Sequence, residues 1–427
     1  MNQPHDYLDV AGANFWNSLV DECIEILRRA EDSDIALLNF WAYRGGGKTS
    51  FLHQLAKLLP NAKADVAVTG LWDVSDGDLA QVMEDISTAV KAAGPTRKVV
   101  LLDNLDALLR SNNGEAFFEF EQGLVLELLE RKDVLLITTS QIPMGTQWHA
   151  YEVRIRQENH PLPALSRAEV DRLAETWSLD PEWLFTLSQG YPWVLFWLRE
   201  HPDITDPDLA QQIEAYFLGS LPTLTRKLAF EASLLPWFDI AVLREIRETE
   251  FLETEGLYAG YIEHLRQLIG IGLIMWDMEM GAYRFCNSTV RRLLARSFRL
   301  LLPQEFAYIH QQAATYYQKE ARRAAYLHYT LVSALYHLAQ FQLTQVHDPE
   351  EVGKECLKWL YANLEMWPTA DWEAVVKAWQ QGGGDESVRE ELRALLGPGA
   401  FEEIARLLEG AKSAVEVMDE YTDASLD

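Results

Sequence analysis

The sequence predicts a parallel α/β domain in its first third, followed by a chain that is almost entirely helical apart from one small hairpin. Three observations predict it. Short apolar runs alternate with amphipathic helices as far as residue 160. The glycine-rich stretch Arg44-Gly45-Gly46-Gly47-Lys48-Thr49 joins one such run to the next helix. Beyond Pro161 apolar residues recur at helical spacing, interrupted by two strand-like runs around Gly281.

In order, WNSLVDECIEILRR (16–29) places apolar residues on a helical stripe. IALLNFWA (35–42) is apolar without such a stripe and suits a buried parallel strand. A helix is expected through SFLHQLAKLL (50–59), a strand at ADVAVTGLW (64–72) and a helix over 76–93. RKVVLLDNLD (97–106) reads as a strand ending in acid, 115–131 as a helix, and DVLLITTSQ (133–141) as another buried strand. Helices are expected over 165–177 and 181–201, the latter broken by Gly190 and Pro192. Several helices, a turn at 270–272, a hairpin over 273–285 and a helix over 288–298 outline a winged helix. Amphipathic helices from 301 onward predict stacked pairs, a short TPR-like solenoid, with a frayed acidic end. The expected domains are therefore a P-loop nucleotide-binding domain (1–160), a helical lid (161–218), a winged helix (219–300) and a helical-repeat region (301–427).

The glycine-rich turn has the chemistry of a phosphate loop. Backbone N–H groups of such a turn converge on an anion at the positive end of the following helix. Gly45, Gly46 and Gly47 let the backbone curl closely, Lys48 neutralises β- and γ-phosphates, Thr49 offers its hydroxyl to Mg²⁺, and Ser50 continues the first turn. Ala42 stands where the strictest form of this loop has glycine. The partner is VVLLDNLD (99–106), in which Asp103 is the expected Mg²⁺ carboxylate. The next position is Asn104, which is no base. Asp106 is the candidate second acid, or else an N-cap for the helix after it.

Composition bounds the partners. A net charge of −28 disfavours a broad nucleic-acid surface. Cys23, Cys286 and Cys356 are far apart and show no metal-ligand spacing, which fits a reducing compartment. The first residues lack a basic stretch followed by an apolar run, and no apolar run approaches the roughly 18 residues that span a membrane. A cytoplasmic protein without membrane partners is expected.

Four motifs in order, and a fifth stretch after them, resemble the STAND class of NTPases, the AAA+-related regulators that include the NB-ARC proteins. FWAYRGGGKTSFL is similar to the class's phosphate loop and LLDNLD to its acidic strand. LLITTSQ (135–141) is similar to its sensor strand, SQGYPWVL (188–195) to its G-x-P motif, and YRFCNSTVRRLLA (283–295) to the end of its winged helix. The resemblance implies a switch with ATP or ADP and Mg²⁺ as cofactors, in which Pro192 lies against the nucleotide and residue 141 senses the third phosphate. It also implies a separate effector or sensor protein as partner, held by the helical C-terminus, and nucleotide-dependent homo-oligomers. At the level of the class alone, it points to bacterial anti-phage defence. Departures are Ala42, Gln141 in place of a sensor arginine, Cys286 in place of a winged-helix histidine, and VAGAN (10–14) without the usual arginine. They predict weak or absent hydrolysis with binding retained, an ADP-holding scaffold being the limiting case.

An alternative is a DNA-associated AAA+ regulator that reads DNA through the arginines of STVRRLLARSFR, namely Arg291, Arg292, Arg296 and Arg299. His53 is expected to pack. His310, His328 and His337 are expected on different helices and without a metal. Trp177, Trp183, Trp193 and Trp197 are expected as packing around the G-x-P block. Arg154 and Arg156 in YEVRIR are expected to alternate along a strand.

Overall fold

The structure is a computed structural model, and it describes residues 16–29, 35–62, 66–75, 78–93, 97–110, 114–246, 259–278, 280–323, 327–367 and 370–423. The segment 10–14 therefore lies outside the described residues. Two compact units divide the chain between Ile204 and Thr205.

The first unit begins with α1 (Asn17–Arg29), β1 (Leu37–Trp41), α2 (Lys48–Ala62), β2 (Val66–Asp73), α3 (Leu79–Ala92) and β3 (Arg97–Asp103). Next come the short α4 (Ala107–Arg110), α5 (Glu115–Phe120), a π turn (Glu121–Val125), α6 (Leu126–Leu129) and β4 (Val134–Ser140). α7 (Tyr151–Ile155), β5 (Gln157–Pro161), α8 (Arg167–Trp177), α9 (Pro181–Ser188) and α10 (Pro192–Glu200) complete it. All strands pair in parallel in the order β2-β3-β4-β1-β5. β4 is buried at every position and β3 at all but its first, as strands covered by helices on both faces must be. This is the expected α/β P-loop architecture. β4 lies between the strand that leads into the glycine loop and the strand that ends in Asp103. The carboxyl ends of these three strands thus meet at one edge, where open parallel sheets bind ligands.

One expectation fails locally, and one strand has no counterpart among the expected elements. YEVRIR is not a strand: Tyr151–Ile155 is a helical turn, held as Arg154 Nε donates to the Trp148 carbonyl at 2.6 Å. Arg156 reaches the Leu129 carbonyl at 2.5 Å. The edge strand β5 carries almost no strand propensity in QENHP. It forms because it pairs with β1 from Leu37↔Gln157 to Trp41↔Pro161, and proline is tolerated at such an edge.

The second unit opens with α11 (Asp206–Leu218), α12 (Thr223–Ala232), α13 (Ile240–Ile246) and α14 (Ala259–Gly270). The hairpin β6 (Ile274–Asp277) and β7 (Ala282–Phe285) follows, then α15 (Ser288–Leu301). A single bridge from Phe238 to Tyr283 adds a third short strand to the hairpin. The expected lid, 161–218, straddles the division between the units, and its last helix, α11, packs on α15. α16 (Pro303–Glu320), α17 (Leu327–Val346), α18 (Pro349–Asn363), α19 (Trp372–Gln380) and α20 (Glu386–Asp423, kinked at Gly397) form the helical remainder. Trp237, Trp367, Trp372 and Trp379 fill its core with Leu335, Leu360 and Leu392. Among the described residues no helix is long and apolar enough to cross a membrane.

The four arginines do not form one exposed stripe. Arg291 is 2% exposed and paired with Glu391, Arg296 pairs with Asp206, and only Arg299 is exposed.

Candidate nucleotide site

The loop runs from the end of β1 into α2. Gly45 (φ 77°) and Gly47 (φ 86°) occupy the left-handed region that glycine alone enters without strain. Ala42 is accommodated by Gly46: a Cβ at Gly46 would lie 2.7 Å from the Ala42 methyl and 3.0 Å from the Tyr43 carbonyl oxygen. The methyl that replaces the first glycine's hydrogen thus uses the space a side chain at 46 would need.

Lys48 is buried and its ammonium donates to the Ala42 carbonyl at 2.9 Å, bridging the two ends of the loop. Burial pushes its pKa down, and the Asp106 and Asp103 carboxylates oppose that shift. Thr49 Oγ1 donates to Asp103 Oδ2 at 2.5 Å. Asp103 is 2% exposed, and its other oxygen accepts from the Thr139 hydroxyl on β4 and from the Asn104 amide at 3.0 Å. Asn104 is itself left-handed (φ 59°), and its side chain donates to Asp73 at 3.0 Å. Strained non-glycine backbone of this kind gathers at functional sites.

Asp106 sits close enough for its charge to act on Lys48, yet both its oxygens are engaged. Oδ1 accepts from the Gln141 amide at 2.8 Å and Oδ2 from Arg110 at 2.6 Å. It ties the helix after the acidic strand to the end of β4, a role that neither expected reading contains. The Gln141 side chain is half-buried, and Ser50 is half-buried in the first turn of α2.

The other wall comes from the turn between α9 and α10. Pro192 opens α10, and a Cβ placed on Gly47 would meet its ring at 3.3 Å. The same point is 2.6 Å from the indole of Trp16, which is 3% exposed and packs edge-on against Phe51. The Trp16 amide donates to Glu169 Oε1 at 2.8 Å and its ring N–H to the Pro163 carbonyl at 3.0 Å. Sequence reasoning did not single out Trp16 or Thr139, because their roles depend on packing and hydrogen-bond partners rather than on a motif.

Elsewhere, Trp177, Trp183, Trp193 and Trp197 are half-buried as packing residues, with Trp177 against Phe196 and Trp197 on His201. His53 is exposed rather than packed. His328 and His337 share α17, and among the described residues no group of three or more His, Cys, Asp or Glu is placed to hold a metal ion.

No family model matches the chain, and no curated protein matches it. Several solved structures are loosely similar. The Aeropyrum pernix ORC2 protein, in ADPNP and ADP complexes, is 15% identical over 67% of this chain and 94% of its own, with a TM-score of 0.39. The Aeropyrum pernix ORC1 protein in complex with DNA is 13% identical over 66% and 93%, with a TM-score of 0.35. The Thermotoga maritima RuvB Holliday junction branch migration motor is 12% identical over 65% and 95%, with a TM-score of 0.32. Scores this low carry no weight, and the fold and site rest on the chain's own geometry.

Proposed function

We propose that this protein is a nucleotide-controlled regulator of the STAND type, related to the AAA+ proteins, which holds ADP or ATP in the first unit and a partner protein on its helical C-terminus. The observation that carries the nucleotide is the Thr49 to Asp103 hydrogen bond, 2.5 Å long and adjacent to buried Lys48. Loop amides and Lys48 would hold the phosphates, and Thr49 and Asp103 would hold Mg²⁺, which when bound neutralises phosphate charge.

The same geometry supports slow turnover. Asn104 offers no base beside Asp103, and the Asp106 carboxylate is engaged by Gln141 and Arg110. A group so occupied is poorly placed to orient a water molecule. The reading is therefore a protein that retains its nucleotide and answers to its exchange, a population shift between two domain arrangements.

The test has two parts. Steady-state assays should give ATP turnover well below the roughly 1 s⁻¹ at which ordinary enzymes begin. Light scattering with MgADP and with MgADPNP should show different assembly or partner capture. Ordinary turnover that disappears in Lys48→Ala would make the protein a conventional ATPase. Identical behaviour with both nucleotides would remove the switch.

A further inference from the structure

The contact between the glycine loop and the start of α10 runs almost wholly through backbone carbonyls. Tyr191 is 1% exposed, and its hydroxyl donates to the Arg44 carbonyl at 2.7 Å, with the Tyr43 carbonyl 3.3 Å away. Two residues on, the Trp193 amide donates to the Gly45 carbonyl at 3.1 Å, while the Gly46 amide closes a turn onto Tyr43. Three consecutive loop carbonyls are thus held, two of them by donors from the residues that begin α10.

A trans peptide points its C=O and the next N–H in opposite directions. Holding the Arg44 oxygen toward Tyr191 therefore fixes the Gly45 N–H on the opposite side of that peptide, away from Tyr191. Holding the Gly45 oxygen on Trp193 fixes the Gly45–Gly46 peptide as well, with its N–H already taken by the Tyr43 carbonyl. Tyr191 is aimed by its own backbone. Gln189 (φ 49°) and Gly190 (φ 75°) are both left-handed, and a Cβ on Gly190 would fall 2.0 Å from the Leu165 carbonyl oxygen.

We propose that Tyr191 is a positioning residue for the phosphate-binding amides, and that its hydroxyl links the seating of α10 to the binding of a nucleoside diphosphate. The inference rests on the nucleotide reading above. Because coupling is reciprocal, a diphosphate in the loop tightens α10, and a seated α10 tightens the loop.

The experiment compares ADP with AMP by calorimetry on the full chain, because the second phosphate is the one such a loop grips. Tyr191→Phe should lower the ratio of ADP to AMP affinity about three- to tenfold, the effect of one lost hydrogen bond. Tyr191→Leu should lower it no less. An unchanged ratio in Tyr191→Phe, with loss only in Tyr191→Leu, would leave the ring as packing and overturn the proposal. Equal loss for ADP and AMP would also overturn it, as general loosening. Wild-type protein that binds neither nucleotide would end the nucleotide reading itself and this inference with it. Hydrogen exchange on the wild type gives a test that needs no variant. ADP should slow exchange in the segment 189–198, and unaltered exchange there would contradict the link.

Discussion

Thr49 and Asp103 come from elements 54 residues apart and meet in a 2.5 Å hydrogen bond at the carboxyl edge of the sheet. Two oxygens brought together beside a buried lysine are what a hydrated divalent cation needs. Thr49→Val keeps the shape and removes the hydroxyl. It should abolish most of the Mg²⁺ dependence of ADP binding, about tenfold if one oxygen contact is lost, and leave binding in EDTA unchanged. Titrations with and without Mg²⁺ check this. Equal Mg²⁺ enhancement in variant and wild type would remove Thr49 from the metal site.

Gly47 is constrained twice, by φ 86° and by the Trp16 ring 2.6 Å from any Cβ. The backbone term alone costs about 1–2 kcal/mol for an alanine. Gly47→Ala should lower the melting temperature and eliminate ADP binding. Adding Trp16→Leu should restore part of the stability but none of the binding, because the clash is relieved while the backbone remains strained. Full recovery of both by the double variant would show that the ring, and not the loop conformation, sets the requirement.

Arg291 is a structural cation. Its guanidinium pairs with Glu391 and approaches the Tyr336 hydroxyl at 3.4 Å, and that hydroxyl donates to the same carboxylate at 2.7 Å. Arg291→Ala should destabilise the protein by about 3–5 kcal/mol, as when one partner of a buried ion pair is removed. Denaturant unfolding measures it. Retained stability together with lost salt-dependent DNA binding would favour the DNA-reading alternative.

His310 and His337 are both buried, with their Nδ1 atoms 2.8 Å apart. Burial pushes His337 down to about 3, and His310 well below its usual value with His337 adding to the effect. A histidine whose folded pKa lies below the unfolded value near 6.5 takes up protons on unfolding, so stability rises with pH through that window. The His337 contribution is complete above roughly pH 6.5 and is lost as the pH falls toward about 3, by up to about 1.4 kcal/mol per pH unit, and His310 acts in the same direction. Melting temperatures at pH 7.5 and 5.0 should differ, and His337→Gln should flatten the difference. An unaltered slope would place the acid sensitivity elsewhere.

The sheet was legible because its buried strands are mostly apolar, without a helical stripe, and its loop is a local pattern. Gly45, Gly47, Lys48, Thr49 and Asp103 declare themselves by spacing, and the structure brings them together. The edge strand β5 was not legible, since QENHP is held by its neighbour and not by propensity. YEVRIR misled because tyrosine, valine and isoleucine two apart fit a strand, whereas Arg154 within the turn and Arg156 after it find carbonyl partners. Asp106 could be read as a cap or as a second acid, and only the fold shows that Gln141 and Arg110 reach it. Tyr191 acts on carbonyls, which no sequence pattern marks.

The most direct test is calorimetric titration of the full chain with MgADP, beside Lys48→Ala. Saturable binding at one site, lost in Lys48→Ala with the fold intact, is the predicted result. No heat of binding and no thermal shift with MgADP or MgATP in wild-type protein would contradict the account and leave the glycine loop as a strand-to-helix turn.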